Sequence, residues 1–318
     1  LPTPSLEAYN RFLLGRYHTF RQTPDDLAAA VRNLDMAIEL DPEFAEAYAA
    51  LGWALAFQGT DYGLRPPHEV YPRAREAALR AIALDDSLAD ARSLYADILT
   101  WYDWDFDLAE SEYRRTIELQ PLNVLGYALY LSTQSRHDEA VELIERRVAA
   151  APNDDYVMVN LAWRYLHAGR LREAIDAARK SGDHPDARSV LGTALVAAGD
   201  LDAGLRVFEE DLDRRGRGVI QLANLGWALF LAGRRDEGDA ILAELETMAG
   251  ERYVSPVSIA AVRAAAGDRD RAYELLEAAI EEQVRAAIFL GVSPSMAPLR
   301  REPEFAELLE RIGLPPVE

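Results

Sequence analysis

Small and large residues recur along this chain with a period of 34. Gly192, Gly226 and Ala260 are spaced by 34 residues, as are Gly199, Gly233 and Gly267, and again Gly204, Gly238 and Ala272. A fixed period in this range marks an architecture in which each unit buries its apolar face only against its neighbours. A unit of 34 residues holds two helices. The spacing therefore predicts an all-α chain, an alpha-alpha superhelix of right-handed sense. It is built from about eight helix pairs. A chain of 318 residues would otherwise suggest two or three globular domains.

The units can be laid end to end by their landmarks. In each, the first helix carries a large residue and then a Leu-Gly-like pair, such as Leu51-Gly52, Leu161-Ala162, Leu191-Gly192, Leu225-Gly226 and Ile259-Ala260. The second helix carries a small, a large and another small residue, because two helices approach closely only where Gly or Ala stands at the contact. Gly169, Gly199, Gly233 and Gly267 fall where the first helix must stop and can take the left-handed conformation of a helix terminus. Acidic residues after them, Asp200 and Asp268 among them, open the next helix. Thr23-Pro24-Asp25-Asp26 is a further helix start. The second unit is stretched. Its extra residues fall in Gly59–Pro72, where Gly63, Pro66, Pro67 and Pro72 predict a loop, with the second helix running from about Ala74 to Leu84. The repeat region is expected to span residues 1–290. Residues 291–318, broken by Pro294, Pro298 and Pro303, form a capping segment with a last helix over Glu304–Ile312.

These landmarks match the tetratricopeptide pattern over nearly the whole chain. A narrower stretch, Tyr102-Asp103-Trp104-Asp105-Phe106 with Ile117-Glu118-Leu119-Gln120-Pro121, and the ending Leu299-Arg300-Arg301-Glu302-Pro303-Glu304-Phe305, resemble the C-terminal repeat regions of bacterial winged-helix regulators, class III adenylate cyclases and Ser/Thr kinases. The resemblance implies a sensory or interaction role. The output domains of that group lie outside this chain, so their activities do not carry over.

The motifs of catalysis are missing. There is no P-loop, Gly216-Arg217-Gly218 lacks the third Gly of a dinucleotide loop, and His68-Glu69 lacks the second His of a zincin. The five histidines have no metal-ligand spacing, and no cysteine is present, which excludes disulfides, thiol nucleophiles and Cys-type zinc sites. Asp103, Asp105 and Asp107 alternate like the start of a calcium loop, but Leu108 stands where its Gly belongs and Arg114 where its Glu belongs. Capping of the helix beginning near Leu108 is the better account of these carboxylates. No enzyme activity, metal or cofactor is expected.

The formal net charge of −20 argues against nucleic acid and favours a basic or neutral partner over an acidic one. No apolar run reaches the length of a membrane span. The expected compartment is the cytoplasm, or the periplasm if a membrane span precedes Leu1.

A noncatalytic scaffold that binds a protein or peptide is the expected function. One position of the first helix points into the concave face of such a solenoid, and here it holds Trp53, Asp97, Leu129, Trp163, Thr193 and Trp227. Three of the five tryptophans thus sit at equivalent places. They are either core residues or an aromatic strip for a peptide, since rigid aromatics anchor interfaces. Asn160 and Asn224 stand just before Leu161 and Leu225, where an amide can pair with both N–H and C=O of an extended backbone. The candidate peptide-binding set is therefore Trp53, Asp97, Asn160, Trp163, Asn224 and Trp227. Two alternatives stay open: a small-molecule sensor that uses the aromatics as a pocket wall, and an accessory region of an enzyme whose catalytic domain is absent.

Overall fold

The computed structural model describes residues 3–21, 23–60 and 65–317, among which there are seventeen α-helices and no strand. Sixteen helices follow one another as eight pairs: α1 (Leu6–Arg21) and α2 (Pro24–Leu40), α3 (Ala45–Gln58) and α4 (Pro67–Leu84), α5 (Ala89–Ile98) and α6 (Phe106–Leu119), α7 (Leu125–Thr133) and α8 (His137–Ala150), α9 (Asp155–His167) and α10 (Leu171–Lys180), α11 (Ala187–Ala197) and α12 (Leu201–Arg215), α13 (Val219–Leu231) and α14 (Arg235–Glu251), α15 (Pro256–Ala266) and α16 (Arg269–Glu281). The last, α17 (Pro303–Arg311), comes after two short 3-10 turns. Among the described residues no helix is long and apolar enough to cross a membrane. Far-ultraviolet circular dichroism of the purified chain should give a helical spectrum without a strand component.

The chain forms two compact units. Unit 1 runs to Gly126 and also takes in Glu282–Arg285, while unit 2 comprises Tyr127–Glu281 and Ala286 onward. Outside the pair α7 and α8, the first helix of a pair packs on its second helix and on the first helix of a neighbouring pair in the same unit. Thus α3 lies against α4 and α5 in unit 1, and α11 lies against α12 and α13 in unit 2. First helices therefore make a continuous layer in each unit. They are nearly apolar all round: α13 buries Leu222, Ala223, Leu225, Trp227, Ala228, Leu229 and Phe230 among its thirteen residues. Second helices such as α12 are amphipathic, burying one stripe of Gly204, Leu205 and Phe208.

The repeated glycines close the first helices by one mechanism. At Gly199, φ is +87°, its N–H donates to Val196 O at 3.0 Å, and the N–H of Asp200 donates to Leu195 O at 3.0 Å. This is the Schellman arrangement, which satisfies carbonyls the helix end leaves unpaired. The same pair of bonds occurs at Gly169, Gly233 and Gly267. Asp200 then caps α12, its Oδ1 accepting from the N–H of Ala203 at 3.2 Å. In the pair α7 and α8 the same bonds run from Ser135 N–H to Ser132 O and from Arg136 N–H to Leu131 O, but the left-handed residue is a serine with φ +58°. A side chain in that region is disfavoured by roughly 1–2 kcal/mol. Ser135→Gly should therefore raise the free energy of unfolding by about 0.5–1 kcal/mol, read from urea denaturation, after the entropy that Gly adds to the unfolded chain is subtracted.

The other small residues stand where helices touch. A Cβ on Gly192 would enter the ring of Phe208, and one on Gly226 would lie 3.0 Å from Ile241 Cγ2 and 3.1 Å from Val262 Cγ1. Thr23 caps α2 as its sequence indicates, accepting from Asp26 N–H at 3.2 Å.

The stretched second unit differs from expectation. Its second helix starts at Pro67, not near Ala74, and Pro72 lies inside it. Pro67 suits the first helical position because its missing N–H has no partner there anyway. Pro72 removes one helical bond, but Val70, Tyr71 and Ala74 beside it are fully buried, and that burial holds the turn. Residues 61–64, Gly63 among them, lie in the stretch where a loop is expected and outside the described residues.

Candidate functional site

The six candidate residues divide by environment. In unit 2, Trp163 and Asn160 on α9 are half-buried. The Asn160 side chain donates from Nδ2 to Tyr156 O one turn earlier, at 2.8 Å. Trp163 lies 5.9 Å from the ring of His167, its i+4 neighbour, and His167 lies 5.8 Å from Phe289. Asn224 on α13 is half-buried and donates to Ser189 Oγ on α11 at 2.9 Å. This bond ties two first helices of successive pairs together.

Trp227 is another matter. Only 3% of it is exposed, and it belongs to a core cluster with Phe208, Leu222, Leu225, Phe230, Leu242 and Val262. Its Nε1–H has no hydrogen-bond partner among the described residues. The expectation that it stands as an anchor beside Trp163 is corrected on this point: the indole fills the layer between α13 and its neighbours, and no ring face is left for a ligand. The equivalence of Trp163 and Trp227 in sequence does not make them equivalent in burial.

In unit 1, Trp53 on α3 is half-buried, 5.5 Å from Phe57 and 6.3 Å edge-on from Trp101. Asp97 on α5 is 3% exposed and accepts a hydrogen bond from Tyr113 Oη at 2.6 Å. As a directly exposed peptide contact it is corrected too: it is a carboxyl sunk among α5, α6 and the residues near Gly126. Burial pushes its pKa up to about 7, with the Tyr113 bond and the positive Arg285 opposing the shift. An acid whose folded pKa is raised destabilises the fold as it ionises. The stability it supports is complete at pH below about 4 and declines as pH rises through about 7. Asp97→Asn removes this loss, so its stability relative to the parent should improve between pH 5 and pH 8, as read from urea midpoints at each pH.

The region around Asp97 carries local distortion that sequence reading did not find. Helix α5 runs into a π-helical turn over Leu99–Asp103, and Trp104 follows with φ +55°. Such turns shift side chains off helical register and occur at functional sites. Here the turn places Trp101, 5% exposed, on the stripe continued from Asp97, with its Nε1–H unpaired among the described residues. Asp103 pairs with Arg75 at 2.7 Å, and Asp105 caps α6 through Leu108 N–H at 3.2 Å. Asp103 and Asp105 thus serve an ion pair and a cap, and Asp107 stands in the first turn of α6.

In each unit the segment after Glu281 meets this stripe. In unit 1 the Arg285 guanidinium lies over the Trp101 ring at 4.6 Å, and Gln283 Nε2 donates to Tyr102 O at 2.9 Å. In unit 2 Phe289 meets His167, whose Nδ1 is shielded from solvent. Burial, with Arg164, His137 and Arg300 nearby, holds that imidazole well below its usual pKa and neutral. A base with a depressed folded pKa loses stability as pH falls below about 6.5, the sense opposite to Asp97. No repeat signal marks Arg285 or Phe289, because they lie outside the 34-residue period.

Tetratricopeptide-repeat models match residues 156–180, 182–210 and 221–244. Comparison with curated proteins gave no match. Among solved structures, a chain of the APC/C hetero-tetramer Cut9–Hcn1 superposes with a TM-score of 0.57 at 14% identity, over 91% of this chain and 59% of that one. The type IV pilus biogenesis factor PilW gives 0.50 at 15% identity, over 66% of this chain and 94% of that one. Pseudomonas aeruginosa pilF gives 0.47 at 20% identity, over 65% and 92%. The matched segments are tetratricopeptide repeats, carried here on an all-α fold of paired helices.

Proposed function

We propose that this chain is a noncatalytic scaffold whose first-helix stripe binds an extended polypeptide, as the sensor or interaction region of a bacterial regulatory protein. The observation that carries the reading is the half-buried pair Asn160 and Trp163 on α9. The indole offers a rigid apolar face, and the amide keeps its Oδ1 acceptor while Nδ2 is engaged with Tyr156 O. Asn224 extends the stripe within unit 2, Trp53 holds the corresponding place in unit 1, and Tyr156, 52% exposed, stands one turn before Asn160. Trp227 lies in the layer beneath the stripe of unit 2 and contacts no ligand directly, and Asp97 is sunk within unit 1. Repeat folds of this kind serve as scaffolds, and the net charge of −20 favours a basic partner.

The test is to identify a bound polypeptide by affinity capture and measure its affinity for two variants. Trp163→Ala should weaken binding by about 2 kcal/mol, the loss typical of an interface anchor. Asn160→Ala should weaken it by about 1–3 kcal/mol if the backbone group it serves stays buried. Both should keep the parent's circular dichroism spectrum. Parental affinity in both variants removes the stripe as the site.

A further inference from the structure

We infer that the Trp101–Asp97 surface of unit 1 is a binding site for an arginine side chain presented on a turn, filled in this structure by the chain's own Gln283–Arg285, where a left-handed Gln283 leads into the 3-10 turn that opens at Arg285. The inference rests on the reading of the first-helix stripe as a polypeptide site and names the chemistry of what unit 1 takes. Three groups converge there. The Trp101 ring lies 4.6 Å from the Arg285 guanidinium, the geometry of a cation–π contact, and Trp53 supports it edge-on at 6.3 Å. Asp97, on the same stripe one turn earlier, supplies a carboxyl whose charge acts on Arg285. The Tyr102 carbonyl accepts the Gln283 amide at 2.9 Å, so a neighbouring residue of the segment is held through a main-chain group.

The receptor side is shaped for this rather than left over from the repeat. Its π-turn over Leu99–Asp103 moves Trp101 out of ordinary helical register, and Trp104, a non-glycine residue with φ +55°, follows it. Trp101 also keeps an indole N–H, buried and unpaired among the described residues, that a bound carbonyl could take. An aromatic face beside a buried carboxyl selects a guanidinium over a lysine, whose point charge lacks the planar stacking surface. The occupied state follows from proximity: a tethered segment competes at high effective concentration with any partner carrying the same feature. The site is thus self-blocked, and an arginine-bearing partner enters by exchange.

The experiment uses the full chain, the variant Arg285→Ala and a capped synthetic peptide of residues 282–287 (Glu-Gln-Val-Arg-Ala-Ala), with a second peptide carrying citrulline in place of its arginine. Titration followed by tryptophan fluorescence is expected to show the arginine peptide binding Arg285→Ala at least tenfold more tightly than the parent. The citrulline peptide should bind at least tenfold more weakly than the arginine peptide. No saturable binding to Arg285→Ala, equal binding to parent and variant, or equal binding of the two peptides overturns the inference. Should Arg285→Ala lose the parental circular dichroism spectrum, Arg285→Gln takes its place with the same outcomes. A failure here, with a captured partner still sensitive to Trp163→Ala, sinks only the arginine site; the polypeptide reading fails on its own variants in unit 2.

Discussion

Trp227→Ala should lower stability by about 3–5 kcal/mol, the range for truncating a large aromatic in a packed core. The indole is 3% exposed and shares a cluster with Phe208, Leu222, Phe230 and Val262. The layer of first helices around it relaxes poorly, because α13 also packs against α11, α14 and α15. Trp163→Ala, at the equivalent place in the repeat, should cost far less stability, since that ring is only half-buried. Trp227→Phe separates packing from polarity. It keeps most of the volume and removes an N–H that is buried without a partner among the described residues, so it should cost much less than the alanine change. Urea midpoints of the three variants read this directly. Equal losses for Trp227→Ala and Trp163→Ala would mean that Trp227 is not core.

Gly192→Leu is the second large effect. The position lies on α11 where α12 crosses it, and a Cβ there would enter the Phe208 ring, which is itself fully buried. Overpacking of this kind costs about 1–3 kcal/mol, and more where the neighbour has no free rotamer. Gly250, near the end of α14, is the control: nothing lies within 4 Å of a Cβ built on it. Gly250→Leu should be neutral or slightly stabilising, because a helical Gly is worse than other residues by up to about 1 kcal/mol. Matching thermal midpoints for Gly192→Leu and Gly250→Leu would contradict the assignment of the 34-residue series to helix–helix contacts.

Periodicity carried the reading of the fold because each unit repeats the same local problem. Gly199, Gly233 and Gly267 stop a helix through the same two bonds, and Gly192, Gly204 and Gly226 sit where another helix leaves no room for a Cβ. Both signals are written in residue type at fixed spacing, so one chain displays them without any partner sequence. Where type and role part company the reading slips. Ser135 takes the glycine's left-handed place with no glycine to announce it, and Pro72 sits inside a helix because Val70 and Tyr71 are buried around it.

The candidate site shows the same division more sharply. Residue identity and repeat position alone put Trp53, Asp97, Trp163 and Trp227 at equivalent positions of their repeats, and Asn160 and Asn224 before equivalent pairs. Only tertiary structure decided which of these are reachable. Burial depends on what the neighbouring helices and non-repeating segments place against a position: Phe208 and Val262 share the cluster that covers Trp227, while Tyr113 bonds Asp97 and the charge of Arg285 acts on it. Contacts from Gln283, Arg285 and Phe289 come from beyond the last repeat and follow no period. The helix ends at the repeated glycines and the small residues at close contacts are written in residue type at fixed spacing, and the sequence by itself determined them. The occupancy of the stripe is a sum of non-local packing, and that was settled only in three dimensions.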